Sequence, residues 1–298
     1  MTLEFDPEFL PRLRFAEPLS RHTSWHVGGP AEAFFMPRSA DELAAFLAAL
    51  PAEVPCTFLG LGSNLLVRDG GVRGVVIPLH GGLDRLERVA ATRVHAEAGV
   101  PCARLARQCV KWALGPAEFF AGIPGTVGGA LAMNAGAWGG ETWPHVVEVD
   151  VVDRRGARRT RAAREYRYGY RRLEAPAADE WFVAARFEFE RRPEASPDTI
   201  RSLLVRRRET QPIGAWSCGS TFTNPIGQHA ARLIESAGLK GTRIGGALVS
   251  DKHANFVVNE GSATAADLER LIAHVQQTVE QRHGVRLETE VRIVGVPA

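Results

Sequence analysis

The chain has 298 residues, 45% of them hydrophobic and 23% charged, and a formal net charge of +2. This composition excludes a disordered or collagen-like chain, and the balanced charge argues against nucleic-acid or membrane-surface partners. No apolar run of about 18 residues occurs, and Met1-Thr-Leu-Glu-Phe-Asp-Pro7 lacks the basic-then-apolar order of a signal peptide, so a cytoplasmic protein is expected.

Taken in chain order, the first helix signal is Ser39-Ala-Asp-Glu42, a capping box opening a helix through about Leu50. Val54–Leu59 reads as a short buried strand leading into Gly60-Leu-Gly-Ser-Asn64, and Val72–Ile77 as another strand. From Pro101 to about Leu114, the positions Leu105, Cys109 and Ala113, with Ala106 and Val110 beside them, form a helical stripe. A glycine-dense stretch, 122–140, follows, and strands are expected at Val146–Val152 and Trp181–Phe189. Arg191–Pro197, charged and carrying two prolines, is the expected linker. Beyond it, helices are expected at 198–208, 228–237 and 264–283. The last opens on Thr264-x-x-Asp267 and aligns Leu268, Leu271, Ile272, Val275 and Val279. Gly238 falls where a helix should stop, and Leu287–Gly295 alternates as a closing strand. Strands and helices mix without a βαβ rhythm, which indicates the α+β class. The length suggests about two domains.

Only Lys111, Lys240 and Lys252 are lysines, so 33 of the 36 basic residues are arginine; asparagine occurs only at 64, 134, 224, 255 and 259. Genome composition or a hot habitat produces such a bias, and by itself it carries no function. Cys56, Cys102, Cys109 and Cys218 form no Cys-x-x-Cys pair and have no histidine-rich partner motif, so reduced thiols and no metal site are expected.

Two segments point to a phosphate-bearing ligand. Leu59-Gly-Leu-Gly-Ser-Asn64 is a strand running into close glycines, where backbone N–H groups can approach an anion. It is not a dinucleotide fingerprint of the βαβ type, because a third glycine is missing and a strand follows. Ala121-Gly-Ile-Pro-Gly-Thr-Val-Gly-Gly-Ala130, continued by Met-Asn-Ala-Gly136, is a second surface of small residues. Alone, the first reads sooner as a plain tight turn, and the second can be a glycine-rich loop packed under its own domain; together they favour a dinucleotide cofactor.

The ordered set Arg21-His-Thr-Ser-Trp-His-Val-Gly-Gly-Pro-Ala31, Gly60–Asn64, Gly122–Gly129, Tyr168-Gly-Tyr-Arg171, Cys218-Gly-Ser-Thr-Phe-Thr-Asn-Pro225, Ala237-Gly-Leu-Lys-Gly241, Ser250-Asp-Lys-His-Ala-Asn-Phe256 and Leu287-Glu-Thr-Glu-Val-Arg292 closely resembles the UDP-N-acetylenolpyruvoylglucosamine reductase (MurB) family of flavoenzymes. The resemblance runs from about residue 20 to 295. It implies an α+β chain with an FAD-binding domain of the vanillyl-alcohol-oxidase (PCMH) type over 1–195, divided near 66. A substrate domain over 196–284 and a closing strand over 285–298, which brings Glu290 to the active site, would follow.

By the same resemblance Leu59, Gly60, Leu61, Gly62, Ser63, Asn64, Ile123, Pro124, Gly125, Thr126, Gly128, Gly129 and Asn134 bind non-covalent FAD, with NADPH as co-substrate. The implied reaction reduces UDP-N-acetylglucosamine enolpyruvate to UDP-N-acetylmuramate. Arg171 would hold the substrate carboxylate, Ser220 would give the proton, and Glu290 would support the carboxylate geometry or proton relay. Asn224, Arg207, Lys240, Lys252, His253 and Asn255 are the implied substrate-binding residues. Small-molecule partners, no nucleic acid, no membrane and a monomer are expected. Three departures stand out. His22-Thr23 replaces Asn-Thr, Thr223 replaces a lysine in Phe-Lys-Asn-Pro, and the chain is short between Phe189 and Gln211, as in the shorter, second subtype. Two other readings are weaker. The nine arginines of 154–172 could form a nucleic-acid surface, but only Tyr166, Tyr168 and Tyr170 interleave them. A flavoprotein of the same fold with another substrate would need no Cys-Gly-Ser motif.

Overall fold

The computed structural model describes residues 5–298, so Met1–Glu4 of the signal-peptide reading lie outside the described residues. The chain forms two compact units. One holds residues up to Phe15, Ala33–Leu61 and Gly74–Val205, and the other Ala16–Glu32, Gly62–Arg73 and Arg206–Ala298. Contiguous domains were expected; the compact units are instead interleaved. The passage at 205/206 falls inside a helix, not in Arg191–Pro197.

The first unit contains two hydrophobic cores. In one, α1 (Ala40–Ala49) starts at Ser39, whose side chain accepts from Glu42 N as the capping box requires. The Glu42 carboxylate turns instead to Arg38 N and Arg12, so only half the box forms. Phe46 of α1 stacks on Phe35 at 3.9 Å and meets the edge of Phe9 at 5.2 Å. Beneath it, Cys56–Leu59 pairs in parallel with Val75–Pro78.

The other core lies between α2 (Cys102–Lys111) and an antiparallel sheet of five strands. Their order is Arg158–Ala162, Val146–Asp153, Glu180–Glu188, Arg93–Glu97 and Leu86–Arg88. Leu105, Ala106, Cys109 and Val110 are buried there, as the stripe predicts. The helix stops earlier than expected, because Ala113 adopts a left-handed φ of 54°. Full burial of Phe120, Phe187 and Trp143 contributes about 1.5–3 kcal/mol each. The short α3 (Val127–Ala132) starts at Thr126.

The arginine-rich stretch is largely paired within this unit. Arg161 meets Glu180 and Glu165, Arg159 meets Asp153, Arg158 meets Asp41, and Arg154 donates to the carbonyls of Leu47 and Val54. Such neutralised charge is a poor polyanion surface.

After α4 (Pro197–Thr210), which occupies the stretch where a longer loop was judged absent, the second unit adds α5 (Ala230–Ser236) and α6 (Ala265–His283). Four short strands, Trp216–Ser217, Val257–Asn259, Ala247–Val249 and Arg243–Ile244, form its antiparallel sheet. The predicted face of α6 is buried at all five positions, with Trp25, which is fully buried, in the same core. Trp25 Nε1 donates to the Val257 carbonyl at 2.8 Å, and Asn259 Nδ2 donates to the Trp25 carbonyl at 2.8 Å. These bonds tie residues 16–32 to the C-terminal part of the chain and explain the interleaving. Gly238 ends α5 at φ 71°.

Both carboxylate oxygens of Asp69 accept N–H groups at the start of α6, from Ala265 and Ala266 at 2.9 Å each. They satisfy two donors that the helix itself cannot, and place negative charge at its positive end. Asp69→Ala is therefore expected to cost about 1–2 kcal/mol, read as a lowered denaturation midpoint.

The closing segment differs from the expected continuous strand. Only Arg292–Val294 is a strand, paired in parallel with Leu65–Val67. Upstream, Thr223 N donates to Glu288 O and Glu290 N to Thr221 O, so the pairing partner changes near Glu290 and interrupts the ladder. No helix among the described residues is long and apolar enough to cross a membrane.

Candidate active site

In the first unit, the turn after Leu59 packs directly on Thr126. A Cβ at Gly60 would lie 2.5 Å from Thr126 Oγ1, so glycine is required there. Thr126 is buried, accepts from Gly129 N, and bridges Pro101, while Val127 N and Gly128 N donate to the Val100 and Ala98 carbonyls. Leu59 and Ile123 are buried beneath this layer; Leu61, Pro124 and Gly129 are exposed, with Gly60, Gly125 and Gly128 half-buried. The result is a rigid shelf with little side chain above its backbone. The N–H groups of Val127, Gly128 and Gly129 hold the shelf itself, and what the glycines offer a dinucleotide is close backbone approach without side-chain bulk.

The second unit carries the rest of that loop. Gly62 has φ 60°, and a Cβ there would lie 2.0 Å from the His22 carbonyl oxygen. Ser24 N donates to Gly62 O at 3.2 Å. The brace is thus backbone from His22–Ser24 and does not use the His22 ring, which meets Glu17 at 2.8 Å. Ser63 and Asn64 are half-buried.

The chain segments that carry Ser220 and Glu290 pair within this unit through Thr221. The segment 221–223 is bracketed by Asn255, whose Oδ1 accepts Phe222 N at 3.0 Å and whose Nδ2 donates to Phe222 O at 2.8 Å. Thr221 N donates to the Asn255 carbonyl at 2.8 Å, and Thr221 O accepts Glu290 N at 2.9 Å. From the other side Asn64 Nδ2 donates to the Glu290 carbonyl at 3.0 Å. Ser220 and Glu290 both remain half-buried. Burial, and then the Glu290 charge, push the neighbouring Cys218 thiol well above its usual range. Cys218 is therefore a neutral packing residue, not a nucleophile.

Arg171 belongs to the first unit. Strands Arg167–Gly169 and Arg172–Glu174 pair with Gly169 opposite Arg172, leaving Tyr170 and Arg171 as the turn. Arg171 has φ 55°, an unfavourable left-handed conformation for a long side chain. Its guanidinium lies 5.1 Å from the Tyr170 ring centroid, and Nη2 donates to Gly136 O at 3.0 Å. Neighbouring Arg172 pairs with Glu174 instead.

Asn134 is fully buried with its amide committed to the protein, donating to Glu141 and Gly169 and accepting from Trp143 N. The residues implied for substrate binding also have internal partners. Asn224 Oδ1 holds Ala230 N at the start of α5, Lys240 pairs with Glu235, and Lys252 donates to the Arg208 carbonyl. Arg207 Nε donates to Gln211, and desolvation holds its guanidinium below the usual value. Desolvation likewise lowers the His253 pKa, and its ring meets the edge of Phe256 at 4.8 Å. Thr223 Oγ1 points to Glu288 O. Asn259, which the motif reading did not single out as a site residue, accepts from Gly261 and Ala263 besides holding Trp25. Its scarcity in this chain was the available signal.

Two family models match the chain. The sequence model of an FAD binding domain matches residues 31–160, and that of the UDP-N-acetylenolpyruvoylglucosamine reductase C-terminal domain matches 211–294. The reductase of that name from Alkalilimnicola ehrlichii is 57% identical over 284 residues, covering 95% of each chain. The one from Methylococcus capsulatus is 55% identical over 282 residues, covering 94% of this chain and 92% of its own. The crystal structure of the Thermus caldophilus reductase (MurB) superposes with a TM-score of 0.80 at 32% identity, covering 98% and 99% of the two chains. The chain therefore belongs to the UDP-N-acetylenolpyruvoylglucosamine reductase (MurB) family, with FAD as its cofactor.

Proposed function

We infer that the protein is the NADPH-dependent flavoenzyme that reduces UDP-N-acetylglucosamine enolpyruvate to UDP-N-acetylmuramate, a precursor of peptidoglycan. Near full-length similarity to reductases of that name carries the reading, and the glycine shelf at Gly60 and Thr126 supplies the physical fit for FAD. A monomer in the cytoplasm completes it, and the four free thiols suit a reducing compartment.

FAD, which the loops at Gly60 and Thr126 would hold, would supply the hydride for the enolpyruvyl methylene carbon, with NADPH as its source. Hydride addition leaves an electron pair on the adjacent carbon, delocalised into the carboxylate. Arg171 holds that carboxylate, because a guanidinium offers paired donors and permanent charge. Ser220 Oγ donates a proton to the carbanionic carbon, completing net addition of H₂ across the double bond. A hydroxyl is a weak acid, so the transfer depends on the strongly basic carbon and on a charge or relay beside the serine. Glu290, whose backbone joins Thr221 beside Ser220, supports the carboxylate geometry or proton relay.

The test is product analysis. Purified protein should be yellow, consume one NADPH per enolpyruvyl UDP-sugar, and give a product heavier by two hydrogens. A colourless protein, or NADPH oxidation that ignores the UDP-sugar, contradicts the assignment.

A further inference from the structure

The structure contains a second anchor for Arg171 that neither catalytic motif suggests. Arg171 sits in a turn with φ 55°, which its own backbone disfavours, so something around it must over-determine the geometry. Both ends of the residue lead to one short stretch of chain. At the backbone end, Asn134 Nδ2 donates to the carbonyl of Gly169, the residue that opens the turn, at 3.0 Å. At the side-chain end, Arg171 Nη2 donates to the carbonyl of Gly136, two residues beyond Asn134, at 3.0 Å.

Asn134 is itself fixed from three sides. Its second amide hydrogen goes to Glu141 Oε2 at 3.0 Å, and its Oδ1 accepts Trp143 N at 3.0 Å. Two acceptors face the nitrogen and one donor faces the oxygen, so the amide has a single orientation. Asn134 also adopts a left-handed φ of 47°, which asparagine tolerates better than most residues. The neighbouring Gly136 is held by pairing with Glu141 in the small hairpin Gly136–Ala137/Gly140–Glu141. Asn134, Gly136 and Glu141 thus form one hydrogen-bonded frame, and Trp143 buries its edge: the indole Nε1 donates to Leu131 O at 2.8 Å.

We propose that Asn134 is a positioning residue for Arg171, aiming the guanidinium at the substrate carboxylate by holding the turn at Gly169 and presenting the Gly136 carbonyl. The resemblance assigns Asn134 to FAD; its amide groups point into this frame. The inference rests on the role given to Arg171 above.

Asn134→Asp keeps the shape and the left-handed tolerance but replaces the Nδ2 donor by an oxygen facing Glu141 and Gly169 O. In the holoenzyme it is expected to slow the substrate-dependent half-reaction about tenfold more than the NADPH half-reaction, with a raised KM for the enolpyruvyl substrate. In an Arg171→Lys background the same change should add less than about a twofold loss, since the two residues act as one unit. A slowed Arg171→Lys enzyme in which the Asn134→Asp loss multiplies in full defeats the positioning role alone. An Arg171→Lys enzyme that turns over normally defeats the reading of Arg171 and this inference with it. Should Asn134→Asp fail to retain FAD, Glu141→Ala leaves Asn134 in place but removes one anchor. It must then show the same selective loss, and equal slowing of both half-reactions overturns the proposal.

Discussion

Ser220→Ala should slow oxidation of the reduced enzyme by the enolpyruvyl substrate about 100- to 10,000-fold, the usual worth of a positioned proton donor. Reduction by NADPH should keep its rate, because no proton from Ser220 enters that step. The selectivity matters more than the size. Alanine removes only Oγ, and the segment around it is held by backbone bonds that the substitution leaves alone: Thr221 to Asn255 and Glu290, and Phe222 to the Asn255 amide. Stability and FAD content should therefore stay near those of the parent. Equal loss in both half-reactions would remove Ser220 from its role.

Gly62→Ala is expected to be the most damaging of the cofactor-loop substitutions. A Cβ in the left-handed region costs about 1–2 kcal/mol on its own. Here it would also stand 2.0 Å from the His22 carbonyl oxygen and 2.8 Å from Thr23 Cα, both backbone atoms that no rotamer change can move. Gly227 is the control, with φ 70° and nothing within 4 Å of its Cβ position. Gly227→Ala should pay only the conformational cost. Gly62→Ala should lose a further ~2 kcal/mol or more from displacing packed backbone, and should release FAD. Matching melting temperatures and flavin content for the two variants would show that the loop yields freely.

The legible parts of this fold are those whose signals are local. α6 was readable because a capping residue, a five-residue apolar face and a terminal glycine all agree over 265–283. α2 was readable along its stripe but not at its end, since Ala113 takes a left-handed φ that no glycine or asparagine announces. The interleaving of the units was not readable. It depends on Trp25 reaching Val257 and on Leu65–Val67 pairing with Arg292–Val294, contacts more than 200 residues apart in the chain. The closing segment alternates in sequence, yet its change of pairing partner near Glu290 interrupts the strand.

The glycine loops and the Cys-Gly-Ser segment are marked by their motifs, whereas the frame around Arg171 is not. In Tyr168-Gly-Tyr-Arg171, the glycine is the natural candidate for a positive φ, but the structure gives it to the arginine. The five asparagines carry the most information for their number. Each fixes main chain: Asn64 at Glu290, Asn134 at Gly169 and Trp143, Asn224 at Ala230, Asn255 at Phe222, and Asn259 at Trp25. An amide offers a donor and an acceptor on one short, uncharged group, which arginine cannot replace. That explains their retention in a chain otherwise poor in asparagine.

The central claim is that one flavin passes electrons from NADPH to the enolpyruvyl UDP-sugar. Anaerobic stopped-flow absorbance of the holoenzyme tests it most directly. NADPH should bleach the flavin band, and the enolpyruvyl UDP-sugar should restore it in the absence of oxygen while forming UDP-N-acetylmuramate. A band that never bleaches with NADPH, or that returns only when oxygen is admitted, would contradict the account.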